Sequence, residues 1–116
     1  MNMISRDELK PFITKDKSEI REFYHSKKMS LVEAMVEIGQ ATECHIHEKS
    51  EEIYYILEGE GLMEIENDKA QVSKDQAIII PPRNRHRITN NGNTQLRFLC
   101  FCSPPYSDED TLIEDI

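Results

Sequence analysis

The chain has 116 residues, a length that suits one domain with a single core, and its 38% hydrophobic and 31% charged content describes a soluble globular protein. Fourteen basic against 22 acidic residues give a net charge of −8, which repels phosphate backbones and anionic membranes and excludes nucleic acid and membrane as expected partners. No apolar run approaches the roughly 18 residues of a membrane span, and MNMISRDELK carries no export signal, so a cytoplasmic protein is expected.

In chain order, Ser5 to Lys10 reads as a single capped helical turn ended by Pro11, and Thr14 to Ser18 as a polar turn. Short strands broken by turn residues follow, the pattern of an all-β sandwich or barrel. They are predicted over Glu19–Tyr24, Leu31–Ile38, Glu43–His47, Ile53–Glu58, Gly61–Ile65, Lys69–Val72, Ala77–Ile80, His86–Asn90 and Gln95–Cys102. The Asn90-Asn91-Gly92-Asn93 stretch contains Asn-Gly, a strong hairpin signal. The expected organisation is one domain over 1–116: an extension over 1–29, a barrel over 30–106 and an acidic tail over 107–116. That tail holds Asp108, Glu109, Asp110, Glu114 and Asp115 without a base, and reads as a solvated end. Cys44, Cys100 and Cys102 lack zinc-ribbon spacing and read as reduced thiols.

Side chains alternate faces along a strand, so His45 and His47 point together, as do Glu52, Tyr54 and Ile56, and as do His86 and Ile88. Imidazoles and a carboxylate turned into a barrel need partners there, since their unpaired burial costs several kcal/mol. A divalent ion removes that cost, and three imidazoles with one carboxylate suit a first-row transition metal.

The spacing Gly39-x5-His45-x-His47-x4-Glu52-x6-Gly59 resembles the first motif of the cupin superfamily at every fixed position. Composition alone gives such a match on the order of once in 10⁵ chains. Pro81, His86 and Asn90 resemble the second cupin motif, although Asp75 and Arg83 stand where that family usually has glycine. Arg tolerates a left-handed backbone poorly, so Asn84 is expected to take the positive φ. The likeness is to the small single-domain cupins grouped loosely as sugar-phosphate-isomerase-like.

The resemblance implies a double-stranded β-helix, a jelly-roll barrel, with His45, His47, Glu52 and His86 as ligands of one zinc, manganese, iron or nickel ion. It implies open coordination positions for a small-molecule ligand, and a homodimer paired through amino-terminal strands.

Tyr54 and Met63 fall on the inward parity and are expected to line the substrate pocket, with Phe98 and Cys100 from the last long strand. Core packing serves Met63 equally well, and Cys100 and Cys102 fit small buried hydrophobes better than redox thiols. His25 is expected to be exposed. Arg83, Arg85 and Arg87 have the opposite parity to His86 and read as a solvated face. No Lys or Arg falls clearly inward, which disfavours a phosphorylated substrate and suits a small organic acid, ketone or aromatic. A metal-dependent isomerase, decarboxylase or dioxygenase is the first functional expectation, with no side chain placed as a separate general base. A non-catalytic ligand sensor or metal carrier is the second, and a metal-free epimerase with a histidine base the third.

Overall fold

A computed structural model describes residues 1–114, and Asp115 of the acidic tail lies outside the described residues. One 3-10 turn, Arg6–Glu8, precedes eleven strands: β1 Phe12–Ile13, β2 Glu19–His25, β3 Ser30–Val36, β4 His45–His47, β5 Glu51–Glu58, β6 Glu60–Ile65, β7 Asp68–Ser73, β8 Ala77–Ile80, β9 His86–Thr89, β10 Leu96–Ser103 and β11 Thr111–Ile113. All nine predicted strands are present, with shifted ends. Ser5 caps the 3-10 turn by position only, because its side chain makes no capping hydrogen bond.

The strands form two antiparallel sheets, one in the order β1-β2-β3-β10-β5-β8 and the other β11-β4-β9-β6-β7. The chain is an all-β double-stranded β-helix. Alternation in β5 explains its placement: Glu52, Tyr54 and Ile56 are buried while Glu51, Ile53 and Tyr55 face out. The register carries this across the larger sheet. Cys102 pairs with Ser30 and Glu52, Cys100 with Val32 and Tyr54, and Phe98 with Ala34 and Ile56. One end of the interior is therefore polar, through Ser30, Cys102 and Glu52. The other is apolar, filled by Phe98, Ile56, Ile88 and Leu96, which are at most 1% exposed. Burial of that plug is the main stabilising term of the fold.

Four details differ from the sequence expectation. The Asn-Gly segment is not a hairpin, because β9 and β10 lie in different sheets. Asn90 makes the corner: its side-chain amide donates to the carbonyls of Val36 (2.9 Å) and Thr94 (2.8 Å), and its Oδ1 accepts from the Gly92 N–H. Those bonds reach across to β3 and outweigh the local turn preference. Arg83, not Asn84, takes the positive φ (+69°), which lets its N–H donate to the His47 carbonyl at 2.8 Å. The extension is woven into the large sheet through β1 and β2. The acidic tail supplies β11, which pairs with β4 from Thr111–His47 to Ile113–His45, so it is not simply a solvated end.

Gly59 shows why the motif needs a glycine there. Its φ is +84°, and a Cβ would lie 2.5 Å from the Gln95 carbonyl oxygen, too close for any side chain.

Candidate metal centre

His45 and His47 project from the same face of β4, and His45 lies directly opposite His86 on β9. Glu52 enters from β5 in the other sheet, so the two sheets close on one another at this point. Donor atoms from His45, His47, Glu52 and His86 all lie within 4.8 Å of one another, and all four residues are buried. Glu52 Oε1 is 3.2 Å from His47 Nε2 and 3.3 Å from His86 Nε2. The cluster is a set able to hold a divalent metal.

Hydrogen bonding fixes which nitrogen of each ring faces inward. His45 Nδ1 donates to the Glu43 carbonyl at 2.7 Å, and His86 Nδ1 to the Asn84 carbonyl at 2.9 Å. His47 Nδ1 lies 3.1 Å from Thr111 Oγ1, whose own proton goes to the Ser107 carbonyl at 2.8 Å. Thr111 can therefore only accept from the ring. In their neutral form all three imidazoles present an Nε2 lone pair to the same space. Three lone pairs around a carboxylate oxygen repel unless a cation sits among them, and Glu52 Oε1 and His86 Nε2 are buried without a hydrogen-bond partner. The donor set thus fits a metal ion.

The electrostatics differ between the rings. Burial, with the neighbouring His86 charge, pulls the His45 ring down to about 4, which leaves it neutral and ready to ligate at neutral pH. For His47 burial acts downward too, but the adjacent Glu52 carboxylate outweighs it and the ring is raised. Glu52 shows the reverse balance: burial pushes it up, and His47 and His86 hold it below the usual carboxylate range. Its other oxygen accepts from the Cys102 thiol at 3.3 Å.

A cavity beside the cluster is lined by Tyr54, Cys100 and Cys102 on the large sheet, with Asp16, Ser30 and Tyr106 at its edge. Tyr54 and Cys100 are where the inward parity puts them. Met63 and Phe98 are both buried in the core cluster and neither lines this cavity, which for Met63 is the packing alternative and for Phe98 a departure from the expected pocket wall. Phe98 packs behind Tyr54, with ring centroids 4.6 Å apart, and Met63 sits opposite Ile88 on β9. Burial raises the Cys100 thiol well above its ordinary value and, with Glu52, that of Cys102, so both stay protonated and unreactive. His25 is exposed beside Glu22. Arg83, Arg85 and Arg87 pair with Glu48, Glu66 and Glu64 outside the cavity.

Two contributors escape sequence reasoning. Asp16, only 5% exposed, places Oδ2 3.6 Å from His45 Nε2. Thr14 and Ser18 hydroxyls donate to its two oxygens at 2.5 and 2.9 Å. The alternation Thr14-Asp16-Ser18 is the only trace of this in the sequence. In the tail, the Asp110 carboxylate accepts from the Lys49 and Ser50 N–H groups and the Ser50 hydroxyl, holding the turn that leads to Glu52.

A protein of Methanocaldococcus jannaschii described as "Uncharacterized protein MJ1618" is 53% identical over 112 residues, covering 92% of this chain and 90% of its own length. An "Oxalate-binding protein" of Thermotoga maritima is 32% identical over 79 residues, covering 68% of this chain and 65% of its own length. Among solved structures, Pac13 of Streptomyces, titled a nucleoside dehydratase, superposes with a TM-score of 0.82 at 15% identity, over all of this chain and 92% of that one, a likeness of fold. The family model described as "Cupin domain" matches residues 32–102, from the strand that opens the barrel through the four clustered residues to the strand that closes it, and the chain belongs to the cupin family.

Proposed function

We propose that the chain holds one divalent transition metal on His45, His47, Glu52 and His86 and works as a metal-dependent enzyme on a small organic molecule, by isomerase, decarboxylase or dioxygenase chemistry. One observation carries the reading: three imidazole lone pairs and a carboxylate oxygen meet in a buried space with no proton donor to reconcile them. When bound, a divalent ion there would polarise a carbonyl or carry electrons toward a ligand at its open positions.

The protein's residues do the rest. Backbone carbonyls and Thr111 hold the three rings in one tautomer, and Cys102 orients Glu52. Tyr54 and Cys100 wall the ligand space, and Tyr106, whose ring meets His47 edge-on at 5.9 Å, closes it. The free room beside the cluster is about 30 Å³, which suits a small ligand. That confinement, with the likeness to the oxalate-binding protein of Thermotoga, favours a second reading in which the chain binds a small molecule without converting it.

The reading includes a cytoplasmic homodimer. Three free cysteines support a reducing compartment. Tyr24, Leu31, Phe101, Ile53 and Ile79 support the dimer, since they stand in one cross-strand row on the outer face of the large sheet.

The test is a screen of keto acids, sugars and diones against iron-, manganese- and zinc-loaded protein. Turnover under one loading, abolished in H47A, is expected. A full equivalent of metal with ligand-dependent thermal stabilisation but no turnover selects the second reading.

A further inference from the structure

Asp16 is a buried carboxylate with no cationic side chain to answer it among the described residues. The lysines on either side point elsewhere: Lys15 Nζ donates to the Thr111 carbonyl at 2.7 Å, and Lys17 pairs with Glu43 at 2.8 Å. No Lys or Arg lines the cavity. The Thr14 and Ser18 hydroxyls use one lone pair on each oxygen, which leaves acceptor capacity on a residue that lines the cavity. Oδ2 is 3.6 Å from His45 Nε2, too far for a hydrogen bond, and the Asp16 carboxylate stands outside the set of donor atoms that lie within 4.8 Å of one another. The turn itself does not need the charge. It is also held by backbone bonds from the Thr14 N–H to the Ser18 carbonyl and from the Glu43 N–H to the Asp16 carbonyl.

We propose that Asp16 is the specificity-determining residue of this site: it accepts a hydrogen bond from a hydroxyl of the bound ligand and turns anions away, so that the ligand is a small neutral hydroxy compound such as a hydroxyketone. The inference rests on the metal site proposed above and narrows its chemistry to the isomerase and dioxygenase types, since a decarboxylase substrate is an anion. A dication held by Glu52 alone leaves the centre with one net positive charge, which attracts carboxylates. The Asp16 carboxylate cancels that charge at short range in a poorly solvated space, where such a change weighs most. The same carboxylate rewards a ligand that brings a donor, because burying it without one wastes its acceptor capacity. An oxalate dianion offers only acceptors and charge here, and a phosphorylated sugar brings hydroxyls but also the charge that Asp16 repels.

Hydroxyacetone and glycolate make the test, since they share the hydroxymethyl carbonyl skeleton and differ by a methyl against a charged oxygen. Each is titrated into cobalt-loaded protein, wild type and Asp16→Asn, following the visible absorption of the cobalt. The expected result is a wild-type preference for hydroxyacetone, and a shift of the affinity ratio toward glycolate by about tenfold or more in D16N with cobalt stoichiometry unchanged. An unchanged ratio overturns the proposal, as does a loss of cobalt in D16N, which would make Asp16 a ligand. Wild-type protein that takes up no cobalt sinks the metal site itself, a different failure. If D16N does not fold, Asp16→Ser carries the same comparison, and tighter wild-type binding of glycolate than of hydroxyacetone is decisive against the idea without any variant.

Discussion

His45, His47, Glu52 and His86 lie on strands whose alternation is plain in the sequence, whereas Thr14–Ser18 and Ser107–Ile113 are polar segments without periodicity. Both kinds of segment meet at the same buried point. The strands bring the donor atoms together, and the polar flanks decide how those atoms are held and what faces them. Thr111 fixes the His47 tautomer, Asp110 braces the turn before Glu52, and Asp16 lines the cavity beside His45. Composition at the barrel's centre therefore reports which groups can bind, and the flanks report how tightly and what.

Breaking the donor set should have the largest effect. His47→Ala combined with His86→Ala removes two of three imidazoles, and elemental analysis should find bound divalent metal falling from about one per chain to almost none. Thr111→Val keeps the shape of the flank but leaves His47 Nδ1 without its acceptor. Stoichiometry should survive while affinity drops about ten- to hundredfold in a chelator competition; unchanged affinity would detach the tail from the site.

Asp110→Ala strips the Lys49–Ser50 turn of its carboxylate acceptor. Urea unfolding should register a loss of about 1–3 kcal/mol. The acid limb sharpens the comparison further. In the metal-free protein, the His45 ring falls to about 4 from its ordinary 6.5, so the unfolded chain takes up the proton first. Its stabilising contribution is complete above about 6.5 and is lost as pH falls toward about 4. His47 is raised and acts with the opposite sign, its contribution fading as pH rises through the raised value. The urea midpoint of metal-free protein should therefore decline on acidification, and His45→Asn should flatten that decline.

The smallest expected effect is at Arg83. Its positive φ costs about 1–2 kcal/mol for an L side chain, and glycine returns most of that as unfolded-state entropy, so Arg83→Gly should stabilise by about 0.5 kcal/mol. A destabilised variant would mean that the Glu48 pair outweighs the backbone strain.

Nine strands, eight of them within the barrel, and the identity of the four clustered residues are legible in local sequence. Alternation is a period-2 signal written in local composition, and the glycine at Gly59 is required by a close backbone approach that no side chain survives. The roles of Asp16, Asp110 and Thr111, the core placement of Met63 and Phe98, and the corner that Asn90 makes between sheets emerge only once the chain is folded. The polar roles depend on hydrogen bonds between residues as far as 64 positions apart, such as His47 to Thr111, and the core placements on packing between strands distant in sequence. A polar residue looks the same in sequence whether it meets water or a buried ring, and only the folded path of the chain tells the two apart.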